Sequence, residues 1–99
     1  MCEFKVIRKN DDSQVGEDIV VLGYTEENEL ILRDILGSGD NLGSSLLLDV
    51  NTLNQTAQII ENPLVKPFIT LLKKATAQGI SIEDVEKFQA QLESFKKSL

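Results

Sequence analysis

Residues 61–67 read E-N-P-L-V-K-P, and this stretch divides the chain into two textures. Pro63 and Pro67 interrupt strand pairing and push the residues before them towards extended or turn backbone. Upstream, short apolar runs rich in β-branched residues are separated by turn sequences. Downstream, apolar residues recur every three or four positions, the spacing of one helix face.

Working upstream, T-A-Q-I-I-E (56–61) and L-L-L-D-V-N (46–51) form a predicted hairpin around T-L-N-Q (52–55). Residues 37–45, with Gly37, Gly39 and Gly43, read as a loop or a poorly paired strand. Residues 29–36 are read as a strand, with Leu30, Leu32 and Asp34 on one face and Ile31, Arg33 and Ile35 on the other. The turn at 26–28 precedes it, and E-D-I-V-V-L-G-Y-T (17–25) forms the strand before that. At the start of the chain, Phe4 and Val6 alternate with Glu3 and Lys5. Lys9–Gly16 is a cluster of turn-forming Asn, Asp and Ser. Short strands at this spacing predict a small β-barrel over residues 1–61.

Working downstream, Pro67 suits the first turn of a helix, where its missing N–H is no loss. Phe68, Ile69, Leu71, Leu72 and Ala75 make its apolar stripe, with Lys73 and Lys74 off it. Gly79 is a natural stop. Ser81 opens a second helix as its N-cap, with Asp84 at the capping-box position and Ile80 and Val85 at the staple positions. Glu83 and Asp84 favour the positive end of the helix dipole. Val85, Phe88, Leu92, Phe95 and Leu99 then follow as a narrow seam of the coiled-coil kind. Both helices are short, so the reading is a helical hairpin over residues 62–99, packed on the barrel or on another chain. The expected fold is mainly β with an α appendage.

Composition bounds the function. The 99 residues are 41% hydrophobic and carry a net charge of −6. Residues 1–61 hold four basic side chains against twelve acids, a balance of −8, and residues 62–99 carry +2. The acidic part opposes a phosphate backbone, which argues against a nucleic-acid partner. With no histidine, the commonest metal ligand and the usual neutral-pH base are both missing. No nucleophile, base and oxyanion set can be assembled, so an enzyme is not expected. No run approaches a membrane span, and no secretion signal is seen, so the expected location is the cytoplasm. Without secretion, the N-Q-T sequon at 54–56 carries no meaning.

Most candidate motifs have an ordinary reading. Asp11/Asp12 and Glu26/Glu27/Glu29 fall in turns and read as solvated residues rather than catalytic pairs. G-S-G-D-N-L-G-S (37–44) lacks the following helix and the lysine of a phosphate cradle. The pairs Lys73/Lys74 and Lys96/Lys97 read as wet helix faces, without the interleaved aromatics that stack bases.

Cys2 stands apart. Cysteine is among the most buried residue types, yet a chain tip is a poor place for a core residue. With Met1 trimmed, the Cys2 thiolate and α-amine would share one residue and close a five-membered chelate ring. Sulfur and nitrogen donors in a planar arrangement suit Ni(II) or Cu(II). The competing reading is a side chain tucked under the first strand.

The opening M-C-E-F-K-V, the E-D-I-V-V-L-G strand and L-I-L-R-D-I-L-G (30–37) resemble the CooT-type family of small proteins. The family's L-x-D-L-x-G-like segment corresponds to Leu32, Asp34, Ile35 and Gly37, with isoleucine in place of the second leucine. The resemblance covers residues 1–61 and implies a small SH3-like β-barrel. It also implies a homodimeric, nickel-binding accessory protein or metallochaperone that serves carbon monoxide dehydrogenase, its Ni(II) held at the dimer interface by Cys2. Relatives also carry the label of predicted RNA-binding proteins, which the acidic body does not favour. Residues 62–99 have no counterpart in the short members and would cover or replace that dimer surface. The alternative expectation is a non-enzymatic interaction module, its helical hairpin docking a protein or RNA, in which Cys2 is structural and Val85, Phe88, Leu92 and Phe95 form a dimer or partner seam.

Overall fold

The structure, a computed structural model, describes residues 3–99. It is mainly β, with two sheets followed by two helices. Strands β1 (Phe4–Arg8), β2 (Ser13–Ile19), β6 (Ser45–Asn51) and β7 (Thr56–Glu61) form one sheet in the order β2-β1-β7-β6. Strands β3 (Val21–Tyr24), β4 (Leu30–Arg33) and β5 (Asn41–Gly43) form the other, in the order β3-β4-β5. Pairing is antiparallel except between the central strands β1 and β7.

The alternation of β1 and β7 aims Val6, Ala57 and Ile59 inward, where they meet Ile19, Leu30 and Leu32 in the buried core. Burying each larger aliphatic side chain stabilises the fold by about 1.5–3 kcal/mol. Two glycines allow the close approaches. At Gly16 in β2 a Cβ would come 2.8 Å from Leu32 Cδ1, and at Gly39 it would come 1.7 Å from the Leu32 carbonyl oxygen.

The chain changes sheets at two corners. Between Val6 and Phe4 the β2 register slips by a bulge, with Asp18 at φ 55°, and a bulge bends its strand. Val20 N–H then donates to Arg33 O at 2.9 Å, and the chain enters β3. It returns to the first sheet through Ser44. The sheets do not close into the expected barrel, because no backbone ladder joins them among the described residues. A side chain makes a join instead. The Tyr24 hydroxyl donates to Ser45 O at 2.8 Å and accepts from Leu47 N–H at 3.1 Å, occupying part of the β6 edge.

The predicted strand over 29–36 stops at Arg33. Asp34 turns the chain by accepting from the N–H groups of Leu36 and Ser38, at 2.9 and 3.0 Å. Ile35 and Leu36 are therefore exposed turn residues. The predicted hairpin around residues 52–55 is present as β6 and β7.

Helix α1 (Val65–Ala77) starts two residues before Pro67, which sits in its first turn. It has no side-chain N-cap of its own. Ser44 substitutes: its hydroxyl accepts from Lys66 N–H at 2.9 Å and donates to Asn62 O at 2.6 Å. Gly79, at φ 83°, follows the end of α1. Helix α2 (Ile82–Lys97) opens with the Ser81/Asp84 capping box.

Candidate metal terminus and helical docking face

Cys2, the sequence-predicted nickel ligand, lies outside the described residues. It stands two positions before β1, a strand paired on both sides. Among the described residues no three Cys, His, Asp or Glu side chains converge to hold a metal ion. The sequence has one cysteine and no histidine, so the one side chain that can offer Ni(II) a thiolate is Cys2. A thiolate is a fitting donor for that ion.

The L-R-D-I-L-G segment performs structural work. Leu32 is core, Asp34 organises the β4–β5 turn, and Gly37 takes φ 86°. In the acid clusters Asp11, Asp12 and Glu29 have structural partners. Asp11 accepts from the Arg8 guanidinium at 2.8 Å and from Ser13, which holds its carboxyl well below the usual range. Asp12 pairs with Lys9 at 2.6 Å. Glu29 accepts from Lys66 at 2.9 Å and Asn41 at 3.1 Å, and its carboxyl is lowered by them in that order. The glycine-rich loop leads into β5 and β6, with no helix to cradle a phosphate.

The junction between sheets and helices rests on a residue that sequence reasoning passed over. Asn28, in the β3–β4 turn, is buried at φ 64°. Its amide donates to Thr70 Oγ1 at 2.8 Å, and its carbonyl accepts from Lys73 Nζ at 2.7 Å. The available signal was an asparagine ending a turn sequence, a residue that tolerates left-handed backbone. Lys66, bonded to Glu29, adds a second tether from α1 to the same turn. Tyr24 was also missed. A lone aromatic near a strand end does not announce which edge its hydroxyl reaches.

The two helices fold back on each other. Phe68 and Phe88 meet with ring centroids 5.7 Å apart, and Lys74 pairs with Asp84 at 2.7 Å. The Asp84 carboxyl is lowered to about 2, first by Lys74 and then by the Ser81 N–H. Lys73 and Lys74 are thus engaged within the fold rather than presented to a ligand. Beside this contact runs an open groove of about 390 Å³, lined by residues that include Pro67, Leu71, Lys74, Lys87 and Phe88. Of the predicted seam, Phe88 and Phe95 are half-buried, while Val85 and Leu92 remain exposed. No helix is long and apolar enough to cross a membrane among the described residues.

Compared with known proteins, the chain matches no family model, no curated protein and no solved structure.

Proposed function

We propose that this protein is a nickel-binding accessory module of the metallochaperone kind, similar to the CooT-type proteins. It holds Ni(II) through Cys2 and passes it to a nickel enzyme, carbon monoxide dehydrogenase being the acceptor the resemblance implies. The observation that carries the reading is the Met-Cys opening directly before β1, on a small mainly-β body that also holds L-R-D-I-L-G. That body is read as an opened relative of an SH3-like barrel, with corners at Val20 and Ser44 and the Tyr24 bridge between sheets. One thiolate–amine pair supplies only two donors, so a planar four-donor site would draw its other two from a second copy.

The test is nickel uptake by chain that begins at Cys2, measured by equilibrium dialysis and absorption. The expected result is about one Ni(II) per two chains, with sulfur-to-nickel charge-transfer bands. Cys2→Ser should lose both, because a hydroxyl is a poor donor to Ni(II) at neutral pH. Unchanged stoichiometry and affinity in Cys2→Ser would reject the nickel reading. The second reading, an interaction module with a structural Cys2, would then replace it. Its support is the partly uncovered apolar face of the hairpin at Phe68, Leu72, Val85 and Leu92.

A further inference from the structure

The groove between the two helices is short and mixed in character. Its walls run from Lys66 to Lys74 on α1 and from Asp84 to Gln91 on α2, which makes it about 12 Å long. With about 390 Å³ of space it lies at the small end of ligand sites, and it is too short for a partner helix of ordinary length. Phe68 meets Phe88 and Lys74 meets Asp84, so the helices run antiparallel and Leu71 comes level with Lys87. The floor is apolar and half-buried: Pro67 and Leu71 come from α1 and Phe88 from α2.

Three ammonium groups surround this floor. Lys74 is neutralised by Asp84 at 2.7 Å, and the pair straps one end of the groove. Lys66 is neutralised by Glu29 at 2.9 Å. The Thr70 hydroxyl is committed to Lys66 O and to the Asn28 amide. Lys87 differs: it enters no ion pair among the described residues, although Glu83 stands one turn earlier on α2. Gln91, one turn beyond Lys87 on the same wall, brings an amide that can donate beside the ammonium. The groove thus carries one uncompensated positive charge beside an apolar floor, in a chain whose net charge is −6.

We propose that this groove binds a small organic monoanion, a carboxylic acid with an alkyl or aryl body. The carboxylate accepts from the Lys87 ammonium and the Gln91 amide, and the charge-assisted bond to Lys87 is the stronger of the two. The body lies over Leu71, Phe88 and Pro67. Multiply charged ligands are disfavoured, because the rest of the chain is acidic. The site uses neither Cys2 nor nickel, so its test is separate from that of the metal reading.

The experiment titrates the full, metal-free, isotope-labelled chain with octanoate below its micellar concentration and follows amide NMR shifts. Saturable shifts are expected at Leu71, Lys87, Phe88 and Gln91, with a dissociation constant on the order of 0.1–1 mM. Octanamide, of the same length without the charge, should bind roughly tenfold more weakly. Acetate, with the charge and no body, should not saturate. Lys87→Gln should weaken octanoate roughly tenfold and leave octanamide unchanged. Lys87 is exposed and unpaired, so helical circular dichroism should not alter. Lys97→Gln, outside the groove, should leave both ligands unchanged. Octanoate binding that survives Lys87→Gln undiminished would overturn the proposal, as would equal affinity for octanoate and octanamide. An equal loss in Lys97→Gln would reduce the effect to overall charge and overturn it too. Absence of saturable shifts at these amides would overturn it and leave the groove to a partner protein.

Discussion

Replacing Asn28 by alanine should cost about 3 kcal/mol of folding stability, although the side chain lies in a turn. Two hydrogen bonds are lost, to Thr70 at 2.8 Å and from Lys73 at 2.7 Å. Each contributes about 1 kcal/mol net; the Lys73 ammonium sits near solvent and regains water, which keeps its share from rising further. The third contribution is backbone. At φ 64° alanine suffers the left-handed penalty that asparagine partly escapes, about 1 kcal/mol. Asn28→Gly separates the parts, since glycine tolerates this conformation and should cost about 2 kcal/mol. Urea unfolding followed by circular dichroism measures both losses. Amide exchange adds the location: the α1 amides should lose protection before those of β1 and β7, because Asn28 ties the hairpin to the sheets. An Asn28→Ala loss below about 1 kcal/mol would refute the assignment of this residue as the junction. A glycine variant no better than alanine would refute the backbone share.

Two further outcomes follow from the same geometry. Gly39→Ala should destabilise by about 3 kcal/mol or more, because its Cβ would lie 1.7 Å from the Leu32 carbonyl oxygen and backbone must move; a change under about 1 kcal/mol in urea unfolding would show that the turn yields freely. The Asp84 carboxyl is lowered from 3.8 to about 2 in the folded hairpin, so its contribution is fully present above about pH 4 and is lost as pH falls through 2. Helical circular dichroism should therefore decline across that acid window in the parent chain and decline less in Asp84→Asn, which starts from lower stability; identical acid profiles would contradict the Lys74–Asp84–Ser81 assignment.

Local physics made much of the chain readable. The hairpin around residues 52–55 follows from two apolar runs that share one turn; β7 has the expected bounds and β6 begins one residue earlier than expected, at Ser45. The second helix is announced by Ser81 and Asp84, whose reciprocal hydrogen bonds lie within one turn and depend on nothing distant. Gly79 ends α1 for the same local reason. At Asp34 local information was present but weighed wrongly: Ile35 and Leu36 continued an apolar run, while the Asx turn that stopped the strand was encoded by one carboxylate. The candidate site divides in the same way. Cys2 and the seam from Val85 to Phe95 could be picked out by residue type and spacing alone.

Long-range contacts decided the rest. Spacing predicted strands but carried no information on how their edges meet, and the sheets stay open where Tyr24, not a strand, bonds to β6. Asn28 and Ser44 look like ordinary turn residues until Thr70, Lys73 and Lys66 are brought to them from about 20 to 45 positions away. Such bonds join groups whose sequence separation leaves no periodic trace, because each is a single contact rather than a repeating face. The sequence by itself determined the β6–β7 hairpin, the two helices and where the chemically distinctive thiol lies, while the strand expected over 17–25 is split at Val20 between β2, which already begins at Ser13 inside the expected turn, and β3. Tertiary structure alone decided how the hairpin is tethered and which part of its apolar stripe is left uncovered, since both depend on which surfaces the packed sheets leave within reach.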